Sequence, residues 1–228
     1  KRSREIVAEL ELSRAALTSV LGAPSDDAAA AIEVIVFERG RDYEAATRDL
    51  DSAGQYFSKL PSDVEEQRVV VARGGLDEPT KFLLQHELVH EIVRRRTARL
   101  PWWLDEGLAE WFGHYDADAR QALAAPERLS LLKPLSLDER VALLDRALAG
   151  KRADFDGEDA PQLYAASWAL TAWMMHEAPS RALLRGLVEA QRGAVACKPI
   201  DARTLIDGAW PGRLDGLLED VARWVDAR

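Results

Sequence analysis

Four histidines occur in the chain, and two of them fall in the run His86-Glu87-Leu88-Val89-His90. In a helix that advances about 100° per residue, the two imidazoles lie about 40° apart around the axis and one turn apart along it. Side chains so placed can reach one metal ion. Glu87 sits about 100° round from His86 but only about 60° from His90, so it can approach a water activated by the metal without being a ligand. Leu84, Leu88 and Ile92 fall on the opposite face, which is expected to pack into the core. About one shuffled chain in 200 of this composition carries such an H-E-x-x-H run by chance, so the run needs support from its surroundings.

A catalytic zinc takes three protein ligands and leaves one position open, so a third ligand must exist. The metzincin continuation would place glycine at 93 and histidine at 96; the chain has Val93 and Arg96, which excludes it. Downstream runs Leu100-Pro101-Trp102-Trp103-Leu104-Asp105-Glu106-Gly107-Leu108-Ala109-Glu110-Trp111. Glu106 and Glu110, four residues apart, stack on one helix face. One can bind the metal, and the other can accept the spare N–H of a ligating histidine. His114 is a further candidate ligand.

With Glu106 sixteen residues after His90 in Trp-Leu-Asp-Glu-Gly-Leu-Ala-Glu, the chain resembles the gluzincins, the thermolysin-like superfamily of zinc metallopeptidases. Their second signature reads N/D-E-G-x-A or close to it. More narrowly it resembles small bacterial peptidase-MA-like domains, in which a sheet precedes the H-E-x-x-H helix. The likeness is specific over residues 80–112 and thinner beyond 180. It implies that His86, His90 and Glu106 hold one zinc ion per chain, that Glu87 is the catalytic glutamate, and that Glu110 is the partner of a ligating histidine. Asp105 stands where asparagine is frequent in the family, and the spacing from His90 to Glu106 is shorter than in its large members. Neither departure removes a ligand.

The reaction so implied is hydrolysis of a peptide bond in a peptide or protein substrate. Zinc lowers the pKa of a water to about 7. Glu87 takes the proton and passes it to the leaving amine. The developing oxyanion needs a donor as well as the metal, and Tyr164 is the candidate, on a helix whose Tyr164, Ser167, Trp168 and Thr171 share a face. The strand over residues 68–73 is expected to offer an exposed edge on which an extended peptide could lie. Two other readings stay open: a catalytically silent zinc- or peptide-binding module, and a zinc amidase acting on a non-peptide or cell-wall amide. Glu87 weighs against the silent module, since a purely structural metal site has no need of it.

These residues need elements to hold them. Helical spacing predicts a helix over 4–21, ended by Gly22-Ala23-Pro24. Branched and aromatic runs predict strands over 32–37, 54–57 and 68–73, with a short helix over 41–50 and Gly74-Gly75 closing the third strand. Beyond residue 78 the chain reads as helical: 82–96, 102–113, 137–149, 161–177, 180–192 and 214–225, with an Asp- and Ala-rich loop after 113. The expected class is α+β. A single domain over 1–228 is expected, with an α/β lobe over 1–79 and a helical lobe over 80–228. The resemblance implies a zincin-like cleft between them.

Composition narrows the partners. The 228 residues are 47% hydrophobic and 30% charged with a net charge of −9, the balance of a globular chain without the basic field of nucleic-acid binders. No apolar run approaches the roughly 20 residues of a membrane span. The single cysteine, Cys197, forms no internal disulfide and has no activating neighbour in sequence. Its solitude leaves the compartment open. The family likeness and the absence of an initiating methionine tilt the expected location to periplasmic or secreted. Arg94, Arg95, Arg96 and Arg99 suit the negative end of the metal-site helix. The tryptophans at 102, 103, 111, 168 and 173 read as packing, and His176 as structural.

Overall fold

The computed structural model describes residues 2–21, 33–47, 54–58, 68–73, 78–97, 100–116, 121–122, 125–192 and 201–228. The chain is mostly helical, with few strands. Its elements are α1 (Arg2–Leu21), β1 (Glu33–Phe37), α2 (Gly40–Thr47), β2 (Gly54–Ser58), β3 (Arg68–Arg73), α3 (Glu78–Arg96), α4 (Trp102–Gly113), β4 (Tyr115–Asp116), β5 (Gln121–Ala122), α5 (Pro126–Leu132), α6 (Leu137–Ala149), α7 (Ala160–His176), α8 (Ala178–Arg192), α9 (Ala202–Ala209) and α10 (Arg213–Asp226). A 3-10 helix, Arg152–Asp156, precedes α7. They group into two compact units, one of residues 1–95 and 112–123, the other of 96–111 and 124–228.

In the first unit, β1 runs parallel to β3, and β2 runs antiparallel to it, giving the order β1-β3-β2. β3 is therefore the middle strand, with Val70 opposite Val34 on one side and Tyr56 on the other. This corrects the expectation that residues 68–73 offer a free edge: both rows of backbone hydrogen bonds are taken by neighbours, and β1 and β2 are the outer strands. An unbroken apolar run is the pattern of an internal strand. The apolar stripe of α1 is buried at Ile6, Leu10, Leu17 and Leu21, with Ser13 among them. Gln85 of α3 donates from Nε2 to Ser13 Oγ (2.9 Å) and to the Tyr115 carbonyl (3.2 Å), tying α1, α3 and β4 together.

The second unit is built around α7, whose residues 163, 165–172 and 174 are all buried. A helix buried on nearly every face needs neighbours all round, and α5, α6 and α8 pack on it. Local signals set the ends. Ser136 caps α6 by accepting from the Glu139 N–H, while the Glu139 carboxylate accepts from the Ser136 N–H at 2.8 Å, a reciprocal capping box. Pro126 opens α5, where its missing N–H costs nothing. α5, α9, the β4–β5 hairpin and the 3-10 helix all lie where the sequence reading placed loop or left the chain unassigned. α6 keeps its expected bounds, and the other helices after α4 shift by one or two residues.

Candidate metal centre

α3 carries the paired histidines. Leu84, Leu88 and Ile92 are buried as the helix periodicity requires, and Val89 and Val93 are buried with them. The helix is thus enclosed on most of its surface, which fixes the rotation of the histidines. His86 is half-buried; His90 and Glu87 are buried, and so is Glu91, a carboxylate the sequence reading passed over. Phe82, one turn before His86, lies against it and against His114 at a ring separation of 4.7 Å. Gly113 exists to admit that ring: a Cβ there would stand 2.5 Å from Phe82 Cε2.

The two imidazoles of α3 face one another through Nε2 atoms 3.2 Å apart. A tetrahedral zinc with Zn–N bonds of about 2.0–2.1 Å sets two ligating nitrogens about 3.3–3.4 Å apart, so the spacing fits a shared ion. His86, His90 and Glu106 each offer one ligand atom, and these atoms lie within 4.8 Å of one another. Neither His114 nor Glu110 belongs to that group. The donor set, two imidazole nitrogens and one carboxylate oxygen, could hold a metal ion.

Glu106 is held by α4. Trp103, Leu104, Leu108 and Phe112 anchor this helix, each no more than 1% exposed. Gly107 lets α4 approach α7 closely: a Cβ there would meet Thr171 Oγ1 at 2.3 Å and the Ser167 carbonyl oxygen at 2.5 Å. The glycine that follows Glu106 therefore has a steric reason. Asp105, Glu106 and Glu110 are all buried.

The expectation for Glu110 was a histidine N–H. One oxygen of its carboxylate is held by Arg128 of α5, whose Nε donates to Oε2 at 2.7 Å and whose Nη2 lies 2.7 Å from the same oxygen. Arg128 was missed in sequence, although Pro126 and Glu127 before it are a helix-start signal. Tyr164 sits near the start of α7 with its ring edge-on to Phe155. Its phenol pKa is pushed up, first by burial and then by the charges of Glu106, Glu110 and Asp156, with Arg128 opposing. The hydroxyl keeps its proton and remains a donor. Ser167, Trp168 and Thr171, expected on the same face, are buried.

The remaining expectations are quickly placed. Trp168 packs on Trp224, Trp173 on Trp210 and Trp102 on Phe155, all as packing residues. His176 lies 3.2 Å from Arg228 Nη2. Cys197, Arg99 and the side chains of Arg94, Arg95 and Arg96 lie outside the described residues, as do Gly22-Ala23-Pro24 and Gly74-Gly75. A separate hollow lined by Pro179, Leu183, Leu187, Leu205 and Trp210 carries no titratable side chain, so it holds no chemistry of its own. No helix among the described residues is long and apolar enough to cross a membrane. Comparison with protein families, with curated proteins and with solved structures finds no match for the chain.

Proposed function

We propose that this chain is a zinc-dependent peptidase of gluzincin type, with a zincin-like arrangement around His86, His90 and Glu106. The observation that carries the reading is the convergence of those three ligand atoms within 4.8 Å. Zinc bound there supplies Lewis acidity, lowering the pKa of a water and polarising the scissile carbonyl. Glu87, next to His86 and buried, accepts the proton of the attacking water and delivers it to the leaving nitrogen. Tyr164, kept protonated by its surroundings, donates a hydrogen bond to the oxyanion. The enclosure of Glu87, His90 and Glu106 lowers the local dielectric and strengthens each of these interactions.

The test joins metal analysis to hydrolysis. Wild-type protein is expected to take up close to one zinc per chain and to cut members of a peptide mixture. Glu87→Gln is expected to keep the zinc and lose about 10²–10⁴ of the rate. Wild-type protein that rejects added zinc ends the proposal. A silent binding module would show equal, absent cleavage in both proteins. An amidase would leave the peptides intact and open a non-peptide amide.

A further inference from the structure

The hollow between α8 and α9 lies wholly within the second unit. It measures about 490 Å³, with buried Leu183 and Leu187 at its floor and Pro179, Ala182, Gly186 and Trp210 nearer solvent. Along α8 the lining runs from Pro179 to Leu187, about 12 Å at 1.5 Å per residue, which matches about two turns of a second helix. Its far rim is a clamped turn. Arg213 holds a left-handed φ of 58°, a conformation that costs energy in a residue other than glycine. Its Nη2 donates to Asp207 Oδ2 at 2.6 Å, and Asp207 Oδ1 accepts from the Leu214 N–H at 3.2 Å. The turn is thereby fastened to α9, with Trp210 and Pro211 on the hollow. Charge selects what could lie there. α8 carries three arginines against one glutamate, on a chain of net charge −9. Arg192 pairs with Glu189 at 2.6 Å, and Asp207 is engaged by Arg213. Arg181 and Arg185 are exposed and meet no carboxylate among the described residues. They stand one turn apart on the row of α8 next to Ala182 and Gly186. Two cations spaced along a helix suit a partner that is elongated and acidic along one edge; a single-headed amphiphile would use only one of them.

We propose that the α8–α9 hollow docks an amphipathic helix of a partner protein, with apolar anchors at i, i+4 and i+7 in the hollow and acidic residues along the edge that meets Arg181 and Arg185. The apolar anchors supply affinity, and the two arginines fix the direction of charge the partner must carry. The contact is small, so binding is weak and reversible. It needs no metal and does not depend on the zinc reading above.

The probe is a synthetic helical peptide with leucines at i, i+4 and i+7 and glutamates along one flank, titrated calorimetrically into the full chain. One control peptide carries lysine for each glutamate, and another carries alanine for each leucine. Wild type is expected to bind the acidic peptide at least about tenfold tighter than either control, and added salt should weaken that binding. Gly186→Leu places a side chain in open space at the hollow and should cut the affinity about tenfold or more. Arg181→Glu with Arg185→Glu should also cut it about tenfold or more and turn the preference towards the lysine peptide. Both arginines are exposed, so this variant carries the test by itself if Gly186→Leu does not fold. Equal binding of the acidic and lysine peptides, or an affinity that neither variant moves, overturns the proposal. Uptake of dodecanoate with the acidic peptide ignored overturns it in favour of an anionic amphiphile. Wild-type self-association in sedimentation that Gly186→Leu abolishes, again with the peptide ignored, overturns it in favour of a second copy of the chain.

Discussion

Tyr164 turns the local electrostatics into something measurable. Burial and the neighbouring carboxylates raise its pKa above the ordinary phenol value, so folding favours the protonated form. That contribution to stability is full below about pH 10, the unfolded value, and is lost as pH rises from there through the raised folded value. Denaturant midpoints should therefore decline above about pH 10, and Tyr164→Phe should decline less steeply. On the proposed mechanism the same variant lowers kcat by about 10²–10³ while zinc uptake is unchanged, which separates a donor from a packing residue. At this scale the pairing of His86 with His90 was legible because a fixed spacing within one helix defines it, whereas Glu106, on α4, was one of two stacked carboxylates that the sequence offered. Arg128 was not legible: its partner Glu110 is 18 residues away, and no periodicity records a tertiary ion pair.

Close approach of helices decides what each element tolerates. Gly107 lies against backbone and hydroxyl of α7, atoms that do not swing away. Gly107→Ala should destabilise the protein by about 1–3 kcal/mol, read by urea unfolding, and should reduce zinc uptake by displacing Glu106. Gly186, on the exposed face mid-way along α8, is the opposite case, since a Cβ there meets nothing within 4 Å. Gly186→Ala should stabilise by about 0.5–1 kcal/mol, the helix-propensity difference. Elements were readable where they were long or capped: α6 announces itself through Ser136 and Glu139 at one end and Gly150 at the other. The seven residues of α5 and the two-residue strands of the hairpin are too short to show a period. Strand order lies outside any single run, which is why β3 was expected at an edge and sits in the middle.

Across the whole molecule, long-range ties fasten the ends of the helical unit. Buried Arg140 of α6 grips Asp226, the last residue of α10, through both carboxylate oxygens. Hydrogen bonding to Arg140 holds the Asp226 pKa below its usual value. A depressed carboxylate contributes stability above its unfolded pKa and loses it as pH falls through the folded one. Acid unfolding of wild type should thus include a component starting near pH 4 and extending below it, and Asp226→Asn should lack that component when urea midpoints are followed from pH 7 downward. A sheet early in the chain and helices later were visible in composition. The grouping of α3 with α1 and β4 was not, because Gln85, Ser13 and Tyr115 meet only in three dimensions.

The polypeptide changes unit three times, after residues 95, 111 and 123. During synthesis the opening stretch of the second unit leaves the ribosome before the closing stretch of the first, so neither is complete when residue 111 emerges. A gene divided after codon 95 or after codon 123 would leave one half lacking a strip that the other half carries. The half that lacks its strip should fold poorly when expressed by itself and recover when both are co-expressed.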